Sequence, residues 1–331
     1  MTLTPEAAAL TVSSALSTVM ICASAAFGAQ VLRSWDLNSG SERQLNLERR
    51  TYLVSTMLAY AFFFQCVSLF FLVHTAERMH PLFVGAMCAV GTFSASRFGF
   101  SALVIQTVTF VLAAIWLIMN HADNHASDYP LIRPKYALLL LLAPISLAGT
   151  AGLIGFFWTL SPQVITSCCG ALFGESSSSG VAASLGGLPP GPMMAAFYFS
   201  IALVVLTAIF VARTDRGHAA LGIFSLAALL ISLSAIISFV SCYVMELPTH
   251  HCPFCILQKD YYYIGYPMYL TLFGGAAAGM GAGVLGFFKS IPSLADRRFR
   301  RALAFWTMAL FLAFAAIVTW EILGTDFKLF G

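Results

Sequence analysis

The sequence predicts an all-α, polytopic transmembrane helical bundle of about eight spans, with both termini extracytoplasmic. Three observations carry that expectation. The chain has 331 residues, of which 59% are hydrophobic and only 9% charged, whereas roughly 25% are charged in an ordinary soluble domain. The apolar residues are gathered into runs of about 20, the length that crosses hydrocarbon. The basic residues are sorted by side.

The spans are expected at about 8–32, 51–74, 100–119, 136–160, 193–212, 220–245, 261–288 and 302–324. The stretch 80–98 is apolar but broken by Gly85, Gly91 and Arg97, and reads as an interfacial or re-entrant segment. Eight spans put Arg33, Arg43, Arg49, Arg50, Arg133, Lys135, Arg213, Arg216, Lys289, Arg297, Arg298, Arg300 and Arg301 on one side. The other side receives only Arg78, Arg97, Lys259 and Lys328, which is the positive-inside pattern. A ninth span would split the Arg33–Arg50 cluster from the Arg297–Arg301 cluster. The first apolar run has no early basic region and does not read as a cleavable signal.

The whole chain, 1–331, reads as a single integral membrane domain whose solvent is the lipid bilayer. One outer loop is long. Residues 161–192 contain Ser176-Ser177-Ser178-Ser179, Gly186-Gly187 and Pro189-Pro190-Gly191-Pro192, a composition that predicts a mobile segment. The net charge of +3 carries little information, and the basic clusters are short loop flanks, so no nucleic-acid partner is expected.

The chain has eight cysteines. Cys22, Cys66 and Cys242 fall in or near spans, where a thiol behaves as a small hydrophobe. The other five are expected outside: Cys88 in the interfacial segment, Cys168-Cys169 in the long loop, and Cys252-Pro253-Phe254-Cys255. Two close pairs on separate loops suggest a thiol–disulfide relay. In it Cys252 and Cys255, at the start of a span, are the fixed pair, and Cys168 and Cys169 the swinging one. A helix N-terminus at the fixed pair would favour its thiolate. Adjacent cysteines bridge only through a strained ring, so Cys88 is a further candidate partner. Glu246, at the outer end of the preceding span, is a candidate proton acceptor.

The run Cys252-Pro-Phe-Cys-Ile-Leu-Gln-Lys259, followed by Tyr266-Pro267, resembles the DsbB family of membrane disulfide oxidoreductases. The same CxxC also resembles bacterial vitamin K epoxide reductase homologues. The resemblance covers only this motif. Those families use about four spans, and in them the Tyr-Pro lies nearer the cysteines. It implies a thiol–disulfide oxidoreductase in a bacterial inner (plasma) membrane, with its redox motifs facing the periplasm. Electrons would pass from an extracytoplasmic thiol protein to a quinone. On that resemblance Cys252 and Cys255 lie beside the quinone, and Gln258 and Lys259 occupy the family's Gln and Arg positions. Tyr262 and Tyr266 are then candidate walls of the quinone site, although tyrosines at a bilayer boundary also form aromatic belts.

A second reading stays open. His250 and His251 precede Cys252 and Cys255, and with Cys168 and Cys169 they form a set of N and S donors suited to copper or another soft metal. A third reading makes the cysteines staples in a subunit of a larger membrane complex. Haem attachment is excluded, because Ile256 rather than His follows Cys255. No phosphate loop, dinucleotide fingerprint or HExxH is present.

Overall fold

A computed structural model of the chain describes residues 4–36, 41–126, 128–161, 188–294, 297–327 and 329. Cys168, Cys169 and most of the long loop lie outside the described residues. The helices are α1 (Pro5–Ser34), α2 (Glu42–Met79), α3 (Ala89–Ser94), α4 (Gly99–Asn124) and α5 (Ile132–Thr159). They are followed by α6 (Pro190–Thr214), α7 (His218–Met245), α8 (Gly265–Phe287) and α9 (Arg297–Gly324). Among the described residues there is no strand. Eight helices, all but the six-residue α3, are long and apolar enough to cross a membrane. The chain is an integral membrane protein of the all-α class. The stretch 80–98 forms one 3-10 turn and α3, both too short to span.

Local rules set several ends. Thr4 caps α1 by accepting the Ala7 N–H at 3.3 Å, with Pro5 in the first turn, where a missing N–H costs nothing. Pro190 opens α6 in the same way. In α7 a π-helical segment, Ile236–Val240, inserts before the last turn.

The chain divides into two compact units. The first comprises Met1–Thr75, Ser96–Leu160 and Phe288–Asp296. Within it α5 packs on both α1 and α4. Its apolar core joins Ile21 and Val31 of α1, Leu58 and Phe62 of α2, Trp116 of α4 and Tyr136 and Leu139 of α5.

The second unit comprises Ala76–Ala95, Ser161–Phe287 and Arg297–Gly331. Helices α6 to α9 form a closed ring of neighbours: α6 on α7, α7 on α8, α8 on α9, and α9 back on α6. The α7–α8 contact is backbone on backbone. A Cβ added to Gly283 would sit 2.8 Å from the Gly222 Cα, so only glycine allows this approach. At one end of the ring α9 caps α6. Arg297 donates to the Arg213 carbonyl at 2.7 Å and Arg301 to the Ala212 carbonyl at 2.9 Å, placing cations at a helix C-terminus.

In the turn that follows, Arg300 grips Asp215 through two hydrogen bonds of 3.1 and 2.8 Å, and His218 adds a third contact. The Arg300 guanidinium holds the Asp215 carboxyl below the usual carboxylate range. A carboxyl depressed in the folded state stabilises above its unfolded value, near ~3.9, and that contribution fades as pH falls through the folded value. Asp215→Asn is therefore expected to destabilise the protein by about 1 kcal/mol at neutral pH, the partial exposure of the pair limiting the effect. The gap to wild type should close progressively below about pH 4. Thermal unfolding across pH checks this, and a gap that persists at the acid end would contradict it.

Candidate functional site

The CxxC segment lies in the loop between α7 and α8, inside the second unit. The chain leaves α7 through Glu246, whose left-handed backbone (φ 53°) turns it sharply, while the Leu247 N–H closes on the Cys242 carbonyl at 3.1 Å. This six-to-one bond is a Schellman-type stop, made here without the usual glycine. Glu246 accepts from the Thr325 hydroxyl at 2.8 Å. Its carboxylate is thus tied to the end of α9 and not to the thiols.

Two successive 3-10 turns, Cys255–Leu257 and Lys259–Tyr261, then carry the chain forward. Tyr262 and Tyr263 both take left-handed conformations before α8 begins at Gly265. The expectation that Cys252 and Cys255 sit at the mouth of a membrane helix is therefore corrected. Cys255 opens a 3-10 turn of three residues, and the N-terminal dipole of α8 starts further along the chain. The turn is pressed onto α8 all the same. A Cβ at Gly265 would lie 2.8 Å from Leu257 and 3.0 Å from the Ile256 carbonyl, so glycine is required there. From α8 the Tyr269 hydroxyl donates to the Pro253 carbonyl at 2.8 Å, fixing the bend between the two cysteines.

Opposite this bend stands Cys88, the N-cap residue of α3. Four contacts hold it there. Glu77, near the end of α2, accepts the Ala89 N–H at 2.7 Å on one carboxylate oxygen. Its other oxygen accepts from the Gln258 amide at 2.8 Å, and the same amide donates to the Met87 carbonyl at 2.7 Å. The Phe93 and Phe254 rings meet at 5.8 Å. Gln258 thus bridges the CxxC loop to the residues on both sides of Cys88.

The result is a buried knot of sulfur. The Cys88 and Cys252 sulfurs are 3.6 Å apart, and the sulfurs of Cys88, Cys252 and Cys255 all lie within 4.8 Å of one another. The three residues are 0%, 0% and 4% exposed. The His250 Nε2 comes to 3.4 Å from the Cys255 sulfur. Burial lowers the His250 imidazole from its ordinary value and raises the Tyr261 phenol.

The other candidates go elsewhere. His251 turns its Nδ1 to the Ile237 carbonyl at 3.0 Å and to the Cys242 sulfur at 3.4 Å, away from the three-sulfur cluster. Lys259 is exposed, Tyr262 is 93% exposed and Tyr266 is half-buried. Cys22 and Cys66 belong to the first unit, and the Cys242 sulfur lies among the carbonyls of Ser238 in α7 and of Pro248 and His250 in the loop after it. The convergence of Cys88 on the CxxC, and the part of Glu77 in holding it, go beyond what the motif indicated. No family model matches the chain, and no curated protein or solved structure shows significant similarity to it.

Proposed function

We propose that this chain is a membrane protein that binds a soft or borderline d10 metal ion, Cu(I) or Zn(II), through Cys88, Cys252 and Cys255, with His250 the candidate for a fourth donor. The separations within the donor set carry the reading. Tetrahedral Zn–S bonds of about 2.3 Å and a Zn–N bond of about 2.0 Å require donors roughly 3.8 Å (S to S) and 3.5 Å (S to N) apart. The chain presents 3.6 Å between the Cys88 and Cys252 sulfurs, all three sulfurs lie within 4.8 Å of one another, and the His250 nitrogen stands 3.4 Å from the Cys255 sulfur at the edge of that group. A bound Zn(II) or Cu(I) displaces the thiol protons, and its charge offsets the repulsion between thiolates held in one buried volume. Thiolate-rich sites select Cu(I) and Zn(II) over harder ions. The asymmetry of the basic residues supports an extracytoplasmic centre with both termini on the same side, as in a bacterial plasma membrane facing the periplasm. Protein purified without chelator is expected to carry close to one metal ion per chain, measured by elemental analysis. Metal-free protein whose three thiols all react freely, and which fails to take up Zn(II) or Cu(I), would overturn the reading.

The Gln258 clamp gives a second test. Partners that orient metal ligands typically contribute 10- to 100-fold in affinity. Gln258→Ala removes the bridge to Glu77 and Met87 and leaves the three cysteines and His250 unchanged. Its metal affinity is expected to fall about tenfold in competition with a chromogenic chelator. An unchanged affinity would show that Cys88 is held by other means.

One observation favours a second reading, that of a thiol–disulfide oxidoreductase linked to a quinone. The Cys88–Cys252 contact places a third thiol in reach of the CxxC, and oxidising the pair would release two electrons and two protons to a quinone. Proteoliposomes loaded with ubiquinone would then oxidise a dithiol catalytically. Dithiol oxidation no faster than in protein-free vesicles would eliminate this alternative.

A further inference from the structure

The end of the second unit formed by the α6–α7 turn and the start of α9 is densely basic. Among the described residues it carries Arg213, Arg216, Arg297, Arg298, Arg300 and Arg301 against one carboxylate, Asp215, which Arg300 already grips. Arg297, Arg298, Arg300 and Arg301 all fall in the opening turns of α9, which hold no acidic residue. Cations are disfavoured there, because the unpaired N–H groups of a helix start carry positive charge. Arg297 and Arg301 also stand four apart on one face, which adds like-charge repulsion. Their bonds to the Arg213 and Ala212 carbonyls offset part of this and fix where the side chains point. Each of those bonds engages one N–H of the guanidinium fork.

Further along α9 the same face changes character. Residues four apart on a helix lie one above another, at ~6 Å per step. The helix therefore presents two adjacent columns, Arg297–Arg301–Phe305 and Arg298–Ala302–Trp306, and all of these residues are exposed. The Phe305 and Trp306 rings meet edge-on at 5.9 Å. Between the cations and the rings stands the small side chain of Ala302. The headgroup layer of a bilayer is roughly 5–8 Å deep on each side of the hydrocarbon. One helical step thus leads from a cation at phosphate level to a ring where acyl chains begin.

We propose that this strip binds one anionic phospholipid, its phosphate held by Arg298 and Arg301 and its acyl chains lying against Phe305 and Trp306. Guanidinium forks match phosphate oxygens two at a time. The surplus of positive charge selects a headgroup of net negative charge, such as phosphatidylglycerol, over zwitterionic phosphatidylcholine, whose ammonium the neighbouring arginines repel. Sorting of basic residues by side accounts for the sign of this end. It does not call for arginines at a helix start, where the dipole opposes them, and a bound phosphate offsets both the dipole and the mutual repulsion.

Native mass spectrometry of the full chain, released from detergent holding equal amounts of phosphatidylglycerol and phosphatidylcholine, tests this. Wild type is expected to retain phosphatidylglycerol about tenfold over phosphatidylcholine, and Arg298→Gln/Arg301→Gln to retain the two about equally. Equal retention by wild type, or an undiminished preference in the variant, would overturn the proposal. Ala302→Trp covers the case in which the double variant does not fold. It keeps every arginine and its hydrogen bonds but blocks the strip, and should cut phosphatidylglycerol retention several-fold; full retention counts against the site. Arg78→Gln alters an exposed cation at the other end of the same unit and should change nothing, whereas an equal loss there would mean that only total charge is being read. Millimolar inorganic phosphate should not displace the lipid, and displacement would make this a site for free phosphate instead. None of these readouts involves the thiol centre, so failure here leaves the metal reading untouched.

Discussion

A Cys88→Ser variant is expected to leave purification with far less than one metal ion per chain, although its CxxC motif is intact. Cys88 lies 164 residues from Cys252 in sequence, and the two sulfurs are 3.6 Å apart. If the centre is a four-donor site, Cys88 supplies one quarter of its ligands. Structural zinc sites bind with roughly 10–16 kcal/mol, so an average ligand accounts for about 3 kcal/mol, or about a hundredfold in affinity. Serine oxygen is a hard and mostly protonated donor that does not replace thiolate for a soft ion. Cys22→Ser is the matched control. It alters a thiol of the first unit and should keep full occupancy. The experiment tests the metal reading alone, because the oxidoreductase reading also uses the Cys88–Cys252 contact; dithiol oxidation in ubiquinone-loaded proteoliposomes separates the two. A Cys88→Ser protein that binds metal with wild-type stoichiometry and affinity would remove Cys88 from the centre and return the argument to the CxxC.

The membrane architecture was legible because hydropathy reports the one property that a bilayer imposes, a run of apolar residues long enough to cross it. All eight spans are read from that signal. It reports where lipid is, however, and not where helix begins. α2 starts at Glu42, well before the apolar run at 51, because Arg43, Gln44, Glu48 and Arg49 are good helix formers that extend the helix beyond the apolar run. The opposite error occurs at Tyr261, Tyr262 and Tyr263. These apolar-weighted side chains read as the opening of a span, yet two of them hold left-handed turns that the aromatic content does not betray.

At the candidate site, the CxxC and His250 stood out by local spacing, whereas the third sulfur did not. Nothing in the Met87-Cys88-Ala89 stretch announces that Glu77 and Gln258 will fold it against residue 252, because that pairing is a tertiary contact between distant segments. Gln258 illustrates the limit of motif reading. The resemblance marks it for a quinone, while its amide is spent in tying down the Cys88 turn. Lys135 shows the same limit in the first unit. It reads as a basic loop flank on one side of the membrane, and it is fully buried.

That burial gives the largest stability effect expected of the chain. Lys135 meets Asp123 at 2.6 Å, and both side chains are 0% exposed. The Lys135 ammonium also donates to Asn120 at 3.1 Å, and Trp116 donates to the Lys135 carbonyl at 3.0 Å. The other Asp123 oxygen accepts the Leu131 N–H at 2.7 Å, closing the connection between α4 and α5. Removing one member of such a pair strands a charge where water does not reach it and costs about 3–5 kcal/mol, whereas replacing both members with neutral groups of similar volume is often close to neutral. Asp123→Asn retains an oxygen for the Leu131 N–H but leaves the ammonium unopposed. Lys135→Met leaves the carboxylate. Each single variant is expected to lose about 3–5 kcal/mol, which would leave many membrane domains barely folded. The double variant Asp123→Asn/Lys135→Met should recover most of that loss. Unfolding measured in one detergent across the four proteins of the cycle gives the coupling directly. Additive losses would mean that the two charges do not depend on each other, and that the α4–α5 connection is held by its hydrogen bonds and apolar packing instead.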